Sequence, residues 1–195
     1  MLAKLTAGWR EVPPEIRAFL KRALLVFVVW KLCYHLFLYN GRVLDKPLTD
    51  ISTHTATVLL KVIYPSSVFT HEEICNPNPE LHGELACMQN VYKDGIKIVG
   101  VADPCNALEL YVLYVGFLIA FPLTLSRGIQ FGLLGIAVIF MANVLRLAAL
   151  SILNLHHVAA AELAHHYVFK VVVYALIFGL WVLYLKKYRT VDAAV

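Results

Sequence analysis

The sequence predicts an all-α integral membrane bundle of about four transmembrane helices, carrying a small extracytoplasmic β-hairpin insert and an interfacial helix, within one multi-pass domain over residues 1–195. Three observations predict it. Hydrophobic residues make up 60% of the chain and charged residues only 15%, against roughly 25% charged in a soluble domain. The apolar residues fall in runs that approach or exceed the ~20 helical residues needed to cross a ~30 Å hydrocarbon core. The basic residues gather at the ends of those runs, as orientation signals do, and form no stripe of the kind a nucleic-acid partner would require.

The first run, 18–39, is interrupted by Lys21, Arg22, Lys31 and His35. Lys21 and Arg22 can snorkel from its start, whereas Lys31 must face a protein interior or water. The run is too long and too charged for a signal-peptide core and no small-residue cleavage site follows, so it reads as a retained first span. Residues 40–105 then form the extracytoplasmic insert. Within it, 51–64 carries Val58, Leu59, Leu60, Val62 and Ile63 but is short and holds His54 and Lys61. It reads as a helix lying in the interface; a fifth span there would break the parity of the count. Asn76, Pro77, Asn78 and Pro79 mark an irregular stretch, with acidic residues at Glu72, Glu73, Glu80 and Glu84. Asp94-Gly95 is a favoured two-residue turn between a run from about Ala86 to Tyr92 and the alternating Ile96 to Val101, which predicts a hairpin. Its second strand leads directly to Asp103-Pro104-Cys105.

Spans two to four are expected at 107–125, 128–153 and 164–185. Lys4, Arg10, Arg17, Lys21 and Arg22 precede the first span, Arg127 falls in the tight turn between the second and third, and Lys186, Lys187 and Arg189 follow the last. These are the cytoplasmic ends. Both termini are then inside, and residues 40–105 and 154–163 face outside.

The cysteines divide by environment. Cys33 lies in the first span and reads as a small apolar residue. Cys75 and Cys87 share the outer insert, where an oxidising compartment would let them pair or leave them free. Cys105 is left without a partner. It opens the second span, where unsatisfied N–H groups and the positive end of the helix dipole favour thiolate. Arg146 lies inside the third span toward its outer end, and an intramembrane guanidinium, costing at least ~2.5–3.5 kcal/mol to insert, normally has a partner or a purpose. It either pairs with Glu109 or Glu162, or orients a carbonyl and stabilises an oxyanion. Asn143, nearly one turn earlier, could support either role. His165 and His166 open the last span at the outer boundary, where a base could reach the thiol. With alternating spans, a thiol, a fixed cation and an imidazole arrive at one face, the makings of a cysteine acyl-transfer site. His71-Glu72-Glu73 lacks the second histidine of an HExxH zinc site, and neither a Gly-x-Ser-x-Gly elbow nor a phosphate loop is present.

Strand–Cys105-Asn106-Ala107-Leu108-Glu109, then Asn143-Val144-Leu145-Arg146, then His165-His166-Tyr167-Val168-Phe169 with Val172-Val173-Tyr174, resembles the exosortase/archaeosortase family of multi-pass membrane proteins. The resemblance covers about residues 85 to 187 and is closest to the compact Bacteroidetes-type members. It implies a sortase-like transpeptidase that cuts proteins near a C-terminal sorting signal. By that resemblance Cys105 is the nucleophile, Arg146 the carbonyl or oxyanion partner, and His165 or His166 the base; Asn143, Asn106 and Glu109 are expected beside them as supporting residues. Many relatives place Gly two residues after the cysteine, where this chain has Ala107; Ala keeps the position small but disfavours a left-handed conformation.

The expected activity is therefore that of a membrane cysteine protease/transpeptidase without metal or organic cofactor, at the outer face of the cytoplasmic (inner) membrane. Its implied partners are secreted substrate proteins whose tail carries a motif, an apolar helix and a basic end, the lipid bilayer, and a surface polysaccharide or lipid-linked acceptor, with no nucleic acid. Glu162 stands at i, i+3 and i, i+4 to His165 and His166, spacings that also suit a metal-binding face. A membrane oxidoreductase or transporter using His156, His157, Glu162, His165 and His166 is thus one alternative, and a non-catalytic membrane assembly factor another.

Overall fold

A proline pre-set for a helical first turn starts the first helix, α1, at Pro14–Cys33, and the helix runs on through a π-helical turn at Tyr34–Leu38. The computed structural model describes residues 12–77, 85–121 and 125–192. Lys4, Arg10, Asn78, Pro79, Glu80 and Glu84 lie outside them. No residue of α1 is buried. It leans on the rest of the protein through Phe19, whose ring centroid is 4.5 Å from that of Phe121, and through Lys31, whose Nζ is 3.3 Å from Glu109 Oε1.

The second helix, α2, spans Asp45–Ile63 and so starts before the expected 51. Its buried face is Thr49, Ser52, Thr53, Ala56, Thr57 and Leu60, a helical repeat made mostly of small and hydroxyl side chains. Ile51, Val58 and Val62 are exposed.

Three antiparallel strands follow, β1 at Phe69–Pro77, β2 at Leu85–Lys93 and β3 at Ile96–Ala102, in the order β1-β2-β3. The expected hairpin is β2–β3, closed by Asp94 and Gly95 at φ 51° and 81°, the left-handed pair that a type I′ turn requires. β1 corrects the expectation of an irregular stretch before residue 78. Its inward positions after Phe69 are His71 and Glu73, so the strand alternates in burial without alternating in hydrophobicity. Cys75 stands directly opposite Cys87, and the two form a disulfide. At Val91/Tyr92 the register shifts, and Ile98 becomes an extra residue on β3.

The remaining helices are α3 (Leu108–Ala120), α4 (Leu125–His156), α5 (Val158–Leu163) and α6 (Phe169–Asp192), with a π-helical turn at Ala164–Val168 joining the last two. Two boundaries differ from expectation. Arg127 lies in the first turn of α4 and not in a connecting turn. Residues 154–163 are not a loop, because α4 continues to His156 and α5 resumes at Val158. Among the described residues two helical stretches, Ser126–His156 and Val158–Lys187, are long and apolar enough to cross a membrane. Four such helices are not supported: α3 is apolar but 13 residues long, and α1 carries Lys21, Arg22 and Lys31.

The largest core cluster joins α3, α4 and α6 around Tyr114, Leu118, Ile139, Ile177 and Tyr184. Both tyrosine hydroxyls are used inside it, Tyr114 donating to the Phe131 carbonyl at 2.8 Å and Tyr184 to that of Phe121 at 2.8 Å. The Tyr114 ring lies so close to Gly135 that any side chain there would collide with it. Away from this core, the outward faces of α1, α4 and α6 are apolar, with Leu24, Phe27, Leu133, Leu145, Val171 and Phe178 each more than half exposed.

Candidate active site

β3 leaves the sheet at Ala102 and turns through a short 3-10 helix at Asp103–Cys105. Cys105 thus precedes α3, which begins at Leu108, and does not sit in its first turn as expected. Two side chains flanking the thiol fix this segment. Asn106 is 1% exposed; its Nδ2 donates to Asp45 Oδ1 at 2.9 Å, and its Oδ1 accepts the Leu108 N–H at 2.8 Å, capping α3 one residue early. Asp103 accepts a two-pronged bond from Arg42, through Nε and, at 2.9 Å, through Nη2, and a third bond from the Thr49 hydroxyl at 2.8 Å. Between Asn106 and α3, Ala107 is left-handed at φ 66°.

The clamp extends to the sheet. Arg42 Nη1 also donates to Glu73 Oε1 at 2.8 Å, and Lys46 Nζ reaches Glu73 Oε2 at 2.8 Å. Lys46 and Arg42 hold the Glu73 carboxyl below its usual range, and the Asp103 carboxylate raises the pKa of the Arg42 guanidinium. Asp45 is in turn fixed by the Tyr34 hydroxyl at 2.8 Å. The sequence reading missed this network, because its central contact joins residues 61 positions apart and nothing local marks Arg42 as the partner.

Cys105 is half-buried and packs on the cluster of Ala56, Val101, Val144 and Leu147. Val144 and Leu147 flank Arg146 in α4, so Cys105 shares a cluster with that stretch of helix. Arg146 is half-buried, its Nε is enclosed without a hydrogen-bond partner, and it forms no ion pair among the described residues. The expected structural pairings are not made: Glu109, 85% exposed, is held by Lys31, and Glu162 is exposed. Asn143 is 2% exposed with neither its amide nitrogen nor its oxygen partnered. Such a group costs about 1–3 kcal/mol, so a native structure retains it for a reason.

His165 and His166 lie in the π-helical turn, their ring centroids 5.2 Å apart. Wide turns of this kind recur at functional sites. His165 is half-buried, whereas His166 is exposed. Of the pair, His165 is the one turned inward.

His156, His157, Glu162, His165 and His166 do not gather around a common point. Among the described residues the one set close enough to share an ion is Glu73, Cys75 and Cys87, and there the two sulfurs are bonded to each other. No family model, no curated protein and no solved structure matches the chain.

Proposed function

We propose that the chain is a membrane-embedded cysteine protease/transpeptidase of the exosortase type, cleaving secreted proteins near a C-terminal sorting signal. One observation carries the reading: Cys105, held between clamped Asp103 and Asn106, packs on the cluster that includes Val144 and Leu147 of α4, the helix that holds buried, unpaired Asn143 and the enclosed Nε of Arg146. Unpaired donors on a helix that shares a cluster with a half-buried thiol suit a developing oxyanion.

In this mechanism the Cys105 thiolate attacks the scissile carbonyl carbon, and the Arg146 guanidinium stabilises the resulting oxyanion. As the C–N bond breaks, the leaving amine takes a proton from His165 and a thioester remains on Cys105. An acceptor amine, hydroxyl or water then attacks, its proton passes to the histidine, and the C–S bond breaks to restore the thiolate. The chemistry draws on no metal.

The exposed apolar faces of α1, α4 and α6 exceed what a soluble surface tolerates and support a bilayer setting. A four-span arrangement with cytoplasmic termini belongs to this proposal. The Lys31–Glu109 pair relieves the charge that interrupts α1, and the Cys75–Cys87 disulfide suits an oxidising compartment for the sheet.

Arg146 gives the test. Arg146→Lys keeps the charge but loses the planar fork, so it should insert and fold yet process substrate about 10²–10³-fold more slowly per folded molecule. Near wild-type turnover by that variant refutes the oxyanion role.

A further inference from the structure

Among the described residues β3 is an edge strand, paired only with β2. Such an edge presents alternate N–H and C=O groups without ladder partners, and proteins normally blunt it with charge, proline or cover. β3 is little blunted. Lys97 is the one charged residue in Ile96–Ala102, the strand has no proline, and Gly100 leaves part of it bare of side chain.

Beside this edge runs an open groove of about 700 Å³, walled by Ile96–Gly100 on one side and by Asn154, Leu155 and Val158 on the other. The groove has a direction, because α4 runs beside β3 in the opposite sense. Leu155 lines the groove together with Ile96–Gly100. Ile152 and Ala148 share a cluster with Ile98 and Val99, and Leu147 and Val144 share one with Val101 and Cys105. β3 therefore runs from beside the C-terminal end of α4 back toward the stretch of that helix that carries Arg146 and Asn143.

We propose that this edge receives the substrate itself: an extended peptide segment adds to β3 as a fourth strand along the open groove, and the peptide bond beyond it reaches Cys105. The inference rests on Cys105 being the nucleophile. A row of main-chain donors and acceptors at strand spacing is matched by another extended backbone and by no lipid headgroup or compact solute. Cys105 lies three residues beyond Ala102 at the end of the 3-10 turn, roughly 6 Å along its axis. The bond to be cut thus stands about two residues of extended chain past the paired segment, and the bound strand's alternate side chains meet the wall of Asn154, Leu155 and Val158.

The test uses full-length Cys105→Ala protein in detergent, panned against a random seven-residue peptide library, with the best binder then synthesised carrying one N-methyl group at each position in turn. Blocking alternate peptide N–H groups should weaken binding ~5- to 10-fold and blocking the others by less than ~2-fold, the loss expected for single hydrogen bonds. Val158→Trp, at a position 68% exposed, should weaken binding at least ~10-fold without altering the protein's unfolding. The proposal is overturned if no peptide is retained, if N-methyl groups are tolerated throughout, or if Val99→Cys copies cross-link to each other, which would give the edge to a second copy of the chain. Binding to Cys105→Ala needs no chemistry. A failed N-methyl pattern therefore removes the docking edge alone, whereas an intact pattern in a protein whose processing survives loss of Cys105 removes the catalytic reading alone.

Discussion

Ala107 carries a strain that can be weighed. It holds φ 66° between the capping Asn106 and the first residue of α3, and it is 5% exposed. A left-handed conformation costs an L-residue about 1–2 kcal/mol, which Gly would relieve. Against that, Gly adds about 0.4–1 kcal/mol of chain entropy to the unfolded state, and the lost buried methyl is worth about 0.8 kcal/mol. Ala107→Gly should therefore lie within about 1 kcal/mol of wild type. Ala148, 3% exposed inside α4, is the control. There the same change removes a similar methyl and adds about 1 kcal/mol of helix penalty with no strain to relieve, for a loss of about 2 kcal/mol. Thermal unfolding of both variants in one detergent, at about 2–4 °C per kcal/mol for a chain of this size, resolves the difference. Equal losses at the two positions would mean that Ala107 is not left-handed and that the turn presenting Cys105 is built otherwise. The family this chain resembles often has Gly at that place, so Ala107→Gly should also keep processing intact.

Asp103→Ala removes the acceptor of two Arg42 bonds and one Thr49 bond and should cost about 2–3 kcal/mol, with turnover per folded molecule falling too because Cys105 is two residues away; unchanged stability would show that the clamp is not formed. His71 is held below its ordinary value of 6.5, mainly by burial. The unfolded chain then takes up this proton first as pH falls below about 6.5, so stability declines from there until the lower folded value is passed. Unfolding at pH 7.5 and 5.5 should show that decline in wild type and a flatter profile in His71→Gln; identical profiles would contradict the burial of this imidazole.

The β2–β3 hairpin was legible because Asp94-Gly95 specifies its turn and the residues after it alternate. β1 was not, since His71 and Glu73 take inward positions where a pattern search expects apolar side chains. The early part of α2 was hidden for a related reason: its buried face is Thr49, Ser52 and Thr53, which pack by being small. Residues 154–163 are expected only as an outward-facing connection between two spans, yet the backbone is helical on both sides of His157. At the candidate site, the alternation of spans predicts that Cys105, Arg146 and the histidines come to one face, and Cys105 packs on a cluster shared with Val144 and Leu147 of α4. The residues that hold Cys105 in place escaped notice, because Arg42, Asp45 and Thr49 reach it only through tertiary folding.

The central claim is that Cys105 carries the acyl group. It is tested most directly by mass spectrometry of the Cys105-containing peptide from wild-type protein quenched with acid while it processes substrate in its own membrane, since acid stops the acceptor's attack on a thioester. The account predicts a peptide-derived adduct on Cys105 that hydroxylamine removes and that Cys105→Ala lacks. An unmodified Cys105, together with normal substrate processing by well-folded Cys105→Ala, would contradict it.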